Sequence, residues 1–441
     1  MSDDFEKLFN FILNLEIIDT HEHLPHRESA RKLKTDILKE YCNDYFGKDL
    51  ISAGLPVKDL NKILDSKENI ISRWDLVEPY WENSRHTGYG QCMDISVKGL
   101  YGIEKICRTT IEELNEKFLI SLKGGQYEKV LKDKSNIKVA LLDNIDNKEN
   151  YLECDKKYFR CVHCMDYFIF PQSFDTVRWI EEFTDVKITS FKDWLTACEI
   201  VFEKGEKKGA VALKSRMAYI RPLSFKRVSY KDAEEEFNQT IFSNKHFRTW
   251  LNNSFTMGNR FQDFMMHYLL NMANKKNMTF QFHTGFHDGN GNYINNGDPS
   301  LLANLFIEYE DVKFDIFHIS YPFQHLLPAL AKNFKNVYIN MCWAPIISPT
   351  AARNALIEFL DTVPVNKICA FGGDFAFIDG VYGHRYLSSK TISQALVSRI
   401  KEGVFDFDRA KEIAEIIFYN NPVKLYNLEF LCQETNHVYT E

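Results

Sequence analysis

Two histidines near the start of the chain have the spacing of a metal-binding pair. His21 and His23 are separated by one residue in the segment DTHEHL at 19–24. If this segment is a β-strand, both imidazoles point to the same face, because side chains alternate along a strand. Two imidazoles on adjacent inward positions make half of a first-row metal site. The pair alone is a weak signal, since paired histidines on strands are more often structural.

Three more side chains of suitable chemistry follow apolar runs later in the chain. His283 lies in FQFHTG, His318 in DIFHIS and Asp374 in FGGDF. On the face of Asp374, the small residues Ala370 and Gly372 would let a carboxylate approach a barrel axis. Each residue alone can be a core histidine or a helix cap. Their joint occurrence at four predicted strand ends favours a metal site.

The elements that must position these residues are eight short β-branched or aromatic runs that alternate with helical stretches. This alternation predicts an α/β protein with a parallel (β/α)8 TIM barrel, whose chemistry lies at the C-terminal strand ends. A doubly wound sheet is the rival fold, but GxGxxG after the first strand is absent. The predicted strands cover residues 15–24, 137–144, 161–170, 209–216, 278–286, 312–321, 336–343 and 367–377.

The gap between the first two predicted strands is too long for one crossover. It contains helical patterns and predicts a helical insertion at 25–135 over the barrel mouth, with the barrel formed by 1–24 and 136–441. A second insertion is predicted at about 218–277, between strands four and five.

Composition excludes several classes of protein. The chain has 441 residues, of which 45% are apolar and 26% charged, which is ordinary for a globular protein. A net charge of -7 does not provide the excess of basic residues that nucleic-acid binding requires. The acidic N-terminus lacks the pattern of a signal peptide, and no run is apolar enough for a membrane span. The ten scattered cysteines indicate reduced thiols. We therefore expect a cytoplasmic protein with a small-molecule substrate and no nucleic-acid or membrane partner; a homo-oligomer remains open.

Taken together, the motifs resemble the amidohydrolase superfamily. The similarity is to its amidohydrolase-related (type 2) branch, which includes uronate-isomerase-like and glutamine-synthetase-fused members. It spans nearly the whole chain, and its barrel motifs are specific for the superfamily but not for a substrate. The segments that carry it are DTHEHL at 19–24, WENSRHTGYG at 81–90, DISVKGLYGI at 94–103, QFHTGFHDGNG at 281–291, HISYP at 318–322, NVYINMCW at 336–343, GGDFAF at 372–377, VYGHR at 381–385 and NNPVKLYNL at 420–428.

The resemblance implies a ligand set and two catalytic residues. Asp374 would be the general base that takes a proton from water and returns it to the leaving group. His318 would either bind a second metal or polarise the substrate carbonyl. Three imidazoles and a carboxylate suit Zn²⁺. One divalent ion per chain would be held by His21, His23, His283 and Asp374.

Lys214, at the end of the fourth predicted strand, has two interpretations. In two-metal amidohydrolases a carboxylated lysine at this strand end bridges the ions. A lysine that binds a substrate carboxylate, or forms an ion pair, is the interpretation that we favour. Arginines near the mouth of a barrel often bind carboxylates, although most arginines in proteins are solvated. The predicted substrate-binding residues are Lys214, Arg216, Arg221, His287, Trp343 and Arg385.

Two further features have plainer interpretations. Glu22 alternates away from the predicted metal face and is interpreted as an outward, structural acid. Cys161 and Cys164 point to opposite sides of a strand and cannot share a metal, so both are interpreted as buried or neutral thiols.

The function expected from this pattern is that of a metal-dependent hydrolase. Water would attack a carbonyl-type carbon of a small, acidic or sugar-derived substrate. Three alternatives remain: a uronate-type aldose–ketose isomerase, a non-hydrolytic decarboxylase on the same metal site, and a non-catalytic binding module.

Overall fold

Eight parallel strands form a single sheet in which each strand pairs with the next along the chain. The computed structural model describes residues 3–144, 152–242 and 257–431. The strands are β1 Ile17–Glu22, β2 Ile137–Asp143, β3 Phe159–Cys164, β4 Ala212–Ser215, β5 Thr279–Phe282, β6 Phe314–Ile316, β7 Val337–Asn340 and β8 Ile368–Cys369.

Backbone hydrogen bonds join the two ends of this sheet. The N–H of Thr20 donates to the carbonyl of Phe371 at 3.1 Å, and the N–H of Asp374 donates to that of His21 at 2.8 Å. These bonds bring β1 against the residues that follow β8. The predicted (β/α)8 barrel is therefore confirmed, although several strands are shorter than their apolar runs.

Helices connect the strands and also form two longer segments. Helices α2 to α7 lie between β1 and β2, and α11 and α12 lie between β4 and β5. The exact domain boundaries at residues 24 and 136 remain predictions. The helices of the described ranges are α1 Asp3–Asn14, α2 Ile37–Cys42, α3 Tyr45–Ser52, α4 Val57–Ile63, α5 Ile70–Ser84, α6 Gly88–Tyr101, α7 Ile111–Ser121, α8 Asp166–Ile169, α9 Phe174–Thr184, α10 Phe191–Lys207, α11 Tyr230–Ile241, α12 Asn259–Lys275, α13 Ala303–Glu308, α14 Leu326–Asn333, α15 Ala344–Ile347, α16 Pro349–Thr362, α17 Ile378–Lys401, α18 Phe407–Glu415 and α19 Asn421–Leu425. None of them combines the length and apolarity that crossing a membrane requires.

A buried polar network connects strands of the barrel with the C-terminal segment. Asn340 Nδ2 donates to Asp315 Oδ2 at 2.9 Å and to Thr20 Oγ1 at 3.1 Å. Gln281 Nε2 donates to the hydroxyl of Tyr426 at 2.8 Å, and that hydroxyl donates to Asp315. These hydrogen bonds hold neighbouring strands in register, although Gln281 Oε1 and Asp315 Oδ1 have no hydrogen-bond partner among the described residues.

Candidate metal centre

The histidine pair of β1 meets the carboxylate of Asp374. His23 Nε2 lies 3.1 Å from Asp374 Oδ1, and His21 Nε2 lies 3.6 Å from the same oxygen. The His21 and Asp374 side chains are only 1% and 7% exposed. The strand alternation therefore brings both imidazoles to one carboxylate, as the sequence pattern predicts.

Glycine at position 373 permits this close approach to β1. A Cβ atom on Gly373 would lie 1.7 Å from Glu22 Oε1. Asp374, the next residue, has a φ of 60°, in the left-handed region that is costly for a residue with a side chain. The turn after β8 is thus shaped to direct the Asp374 carboxylate toward the histidines.

His283 and His318 are in direct contact, and two neutral rings do not supply enough N–H groups for all of their hydrogen bonds. His318 Nδ1 donates to the carbonyl of Cys342 at 3.0 Å, so its Nε2 keeps a lone pair in the neutral ring. This Nε2 lies 2.9 Å from His283 Nδ1, and His283 Nε2 lies 2.8 Å from the carbonyl of Phe286. A neutral His283 has one N–H and cannot donate to both. A proton or a metal cation would resolve the conflict.

Asp143 is a candidate ligand that the sequence reasoning missed. It ends β2, is 2% exposed, and neither carboxylate oxygen has a hydrogen-bond partner among the described residues. Its carboxylate and ring nitrogens of His21 and His23 lie within 4.8 Å of one another. A second group of this kind contains His318, Cys342 and Asp374. An aspartate at a strand end was the available signal, but many strands end on an acid.

The protonation states of His21, His283, His318 and Asp374 favour ligation, whereas the pKa of His23 is raised because burial, which would lower it, is outweighed by the hydrogen bond with Asp374. Burial lowers the pKa of His21 and His283 well below the ordinary value, and lowers that of His318 to about 3. Burial would raise the pKa of Asp374, but the hydrogen bond from His23 and the neighbouring imidazoles lower it well below its ordinary value. Neutral imidazoles and an ionised carboxylate are the forms that bind metals.

Two cationic side chains lie at the end of β4. Lys214 is 2% exposed, and its Nζ has no hydrogen-bond partner among the residues that the structure describes. The Nζ lies 3.5 Å from the ring centroid of Phe317, and burial lowers the pKa of the lysine. Arg216 Nη2 lies 3.8 Å from Cys164 Sγ, while its backbone N–H donates to Asp166 at 2.5 Å.

Two of the predicted substrate-binding residues pack against the histidines. The ring centroids of His287 and His283 are 5.4 Å apart, and those of Trp343 and His318 are 5.1 Å apart. Trp343 also packs 4.8 Å from the ring of Tyr45 in α3, whose hydroxyl donates to the backbone carbonyl of Asp374. The segment between β1 and β2 therefore contributes directly to the wall of the centre.

Arg221 and Arg385 are not brought to this cluster. Arg221 pairs with Asp263 at 2.8 Å. Arg385 is fully buried in α17 and donates to the carbonyl of Ile12 at 2.6 Å and that of Ser135 at 3.2 Å. Arg385 thus satisfies free carbonyls at the C-terminus of α1, a structural role. These contacts give no support to the predicted substrate-binding roles.

Glu22 has a structural role, as predicted, and it is buried. Glu22 is fully buried and accepts a hydrogen bond from the N–H of Phe375 at 2.9 Å. Burial and the neighbouring Asp19 raise the pKa of Glu22 well above its ordinary value. Asp19 in turn accepts from the N–H of Gly373 at 3.1 Å. The two acids attach the turn after β8 to β1, behind the candidate ligands.

Comparison with known proteins confirms the resemblance that the motifs indicated. Residues 246–428 match the sequence model of the family described as Amidohydrolase. A curated relative, Protein fluG of Emericella nidulans, is 27% identical over 176 residues. That match covers 38% of this chain and 20% of the relative, so the similarity spans about a fifth of the relative's length.

Solved structures of similar fold cover almost the entire chain. The uronate isomerase of Thermotoga maritima superposes with a TM-score of 0.76 at 16% identity, covering 97% of this chain and 98% of that one. A Lactobacillus casei protein assigned to the metal-dependent hydrolases gives a TM-score of 0.65 at 17% identity, covering 96% and 98%. At identities this low, the superpositions show a shared fold alone.

Proposed function

From its relationship to the amidohydrolases, we propose that this protein is a metal-dependent hydrolase. Its substrate would be a small acidic or sugar-derived molecule with a carbonyl-type centre. The observation that carries the proposal is the set of buried lone pairs that lack a partner. Both carboxylate oxygens of Asp143 are unpaired, and the contacts of His283 require one additional positive charge. Buried groups of this kind are costly unless a cation satisfies them.

The ligands of the proposed ion lie at the ends of β1, β2 and β5 and in the turn after β8. They are the predicted set of His21, His23, His283 and Asp374, to which the geometry adds Asp143. A Zn²⁺ ion held by these residues would supply Lewis acidity and would lower the pKa of water toward neutrality. In the neutral tautomer whose Nδ1 donates to the backbone carbonyl of Asp143, 3.0 Å away, Nε2 is the ligand atom, and it faces Asp374 Oδ1 at 3.1 Å.

Two side chains of the site are suited to move or hold protons. Asp374 is ionised because its pKa is lowered, so its carboxylate can accept a proton and later deliver it to a leaving group. His318 is held by the carbonyl of Cys342 and packs on Trp343, so the orientation of its ring is fixed and its Nε2 lone pair is the atom left to accept a proton. The surrounding indole helps to exclude water.

An acidic substrate is supported by the cations at the end of β4. Lys214 is buried without a partner of opposite charge in hydrogen-bond contact, which is costly unless an anion binds beside it. Arg216 Nε is likewise buried and unpaired among the described residues. A substrate carboxylate would satisfy both donors.

A uronate-type isomerase is the second candidate, because the fold is shared with a uronate isomerase over nearly its full length. In that reaction Asp374 would move a proton between neighbouring carbons of a hydroxy-carbonyl substrate, and water would not be consumed.

The test combines elemental analysis with two groups of substrates. We expect about one divalent ion per chain, most simply zinc, in protein purified without chelator. Lactones and amides would be assayed by acid or amine release, and uronates by ketose formation. Hydrolysis that is lost with chelator and restored by Zn²⁺ supports the proposal. Full activity without metal would refute it, and ketose formation without hydrolysis would favour the isomerase.

A further inference from the structure

A cavity lies at the end of the barrel opposite the candidate metal centre. It has a volume of about 500 Å³ and is lined by Ala210, Val211 and Met278, which precede β4 and β5. These residues mark the N-terminal ends of the strands. His283 and Asp374 follow β5 and β8, at the C-terminal ends. The cavity is therefore separate from the site described above.

The charge of this cavity favours an anionic ligand. Four basic side chains line it, and Glu206 is the only acid among the lining residues described. Glu206 is paired with one of them, Lys276, at 2.9 Å. Arg160 donates to two backbone carbonyls, and its guanidinium carbon lies 5.6 Å from the ring centroid of Phe430. The excess of positive charge raises the local concentration of anions. The basic residues are Lys156, Arg160, Lys208 and Lys276.

Two cysteines in the wall of the cavity are in direct contact. Cys161 Sγ lies 2.9 Å from Cys154 Sγ. Cys161 in β3 is 2% exposed, whereas Cys154, in the loop before β3, is partly exposed. The sequence interpretation had considered Cys161 with Cys164, but the structure pairs it with a cysteine seven residues earlier in the chain.

The surroundings give the two thiols different reactivity. The hydrogen bond from Cys161 lowers the pKa of Cys154, and Arg160 and Lys156 lower it further. That same bond and burial raise the pKa of Cys161. A thiolate is the attacking species in disulfide exchange, so the partial exposure and lowered pKa of Cys154 suit it to attack first, and the buried Cys161 in contact with it is suited to resolve.

We propose that Cys154 and Cys161 form a reversible dithiol–disulfide site whose oxidant is a small disulfide that carries carboxylates. The Cys154 thiolate attacks one sulfur of that disulfide, forms a mixed disulfide and releases the first thiolate. Cys161 then attacks Cys154 Sγ, its proton passing to the second thiolate as it leaves. The protein loses two electrons, and one small disulfide is reduced to two thiols. Excess small thiol reverses both steps.

The test uses the full-length reduced chain and oxidised glutathione as the probe. After oxidation, free thiols are alkylated under denaturing conditions and the peptides are mapped by mass spectrometry. We expect a Cys154–Cys161 crosslink, and we expect the other eight of the ten cysteines to be alkylated because they remain free thiols. The neutral disulfide of 2-mercaptoethanol should react more slowly. Alkylation of Cys154 and Cys161 in the treated protein, or a crosslink from either one to another cysteine, would overturn the proposal.

Variants separate the roles of the two thiols. In Cys161→Ser, the mixed disulfide of Cys154 with glutathione should accumulate, because no resolving thiol remains. Cys154→Ser should give no adduct at Cys161. The control is Cys107→Ser, which removes another partly exposed cysteine of lowered pKa and should leave the crosslink intact. Equal labelling of both cysteines in the single variants would contradict the assigned order.

A charge variant tests the role of the cavity. Lys156→Gln should slow oxidation by glutathione disulfide by about threefold more than oxidation by the neutral disulfide, which is slowed only through the loss of the charge that lowers the pKa of Cys154. Equal slowing with both oxidants would contradict recognition of an anion. These readouts count thiols and adducts, so they do not depend on the metal centre or on its activity.

Discussion

Asp374 combines ionisation, burial and direct contact with two imidazoles. Changing it to Asn preserves the size of the side chain but removes the proton acceptor and the negative charge. We predict that kcat of Asp374→Asn falls by about 100-fold or more, the usual scale for general acid–base catalysis. Thermal melting should change little. The matched control is Asp408→Asn, at an exposed acid of α18. Near-normal turnover would remove Asp374 from the mechanism.

Lys214 distinguishes one metal ion from two. If it binds a substrate carboxylate, Lys214→Met should raise KM by roughly 10- to 100-fold, the value of a hydrogen bond to a charged group. The metal content should stay near one ion per chain, measured by elemental analysis. If the lysine is instead carboxylated and bridges two ions, wild-type protein should contain two and the variant one. Lys214→Arg, which preserves the charge, serves as the control.

At the scale of elements, one buried carboxylate attaches the segment between β1 and β2 to the helix that follows β8. Asp379, near the start of α17, is fully buried. It accepts hydrogen bonds from Tyr101 at 2.6 Å, from Gln126 at 2.9 Å and from Tyr41 at 3.3 Å. The donors come from α2, α6 and the segment after α7, so the contact joins three parts of this segment to the barrel.

Removing that carboxylate should loosen the attachment. Asp379→Ala leaves three donors without their acceptor, and we predict a loss of about 3 kcal/mol or more in the free energy of unfolding. Asp379→Asn, which retains one acceptor, should lose less. Denaturant titration measures both, with exposed Asp408→Ala as the control. Equal stability of Asp379→Ala and wild type would show that the remaining contacts of these helices suffice.

For the whole molecule, the buried network at Asp315 predicts a dependence of stability on pH. Burial raises the pKa of Asp315 from 3.8 to about 6, despite the hydrogen bonds from Tyr426 and Asn340. Between these values the folded state binds more protons than the unfolded state, so stability falls as pH rises. A shift of this size corresponds to about 3 kcal/mol.

Asp315→Asn should remove this component. The difference in unfolding free energy between wild type and variant, measured at about pH 4 and about pH 7, should change by about 2 kcal/mol in favour of the variant at the higher pH. A difference that does not vary with pH would contradict the assigned pKa. Asp408→Asn again controls for the change in net charge.

The sequence by itself determined the barrel and the principal candidate residues. Alternation along a strand is a local property, so HxH predicts two imidazoles on one side before any tertiary contact is known. The convergence of His21, His23 and Asp374 also follows, because the C-terminal ends of parallel barrel strands meet at one mouth. Contacts between His283 and His318 have the same origin.

Only the tertiary structure decided which side chains outside that pattern join a site. Asp143 is one of several acids at strand ends, and its unpaired burial depends on residues far away in the chain. The direction of Arg385 depends on how α17 packs against α1, which no local period specifies. Cys154 and Cys161 meet because the loop between them folds back onto β3. Such contacts depend on the three-dimensional path of the chain, because residue spacing limits distance without specifying direction.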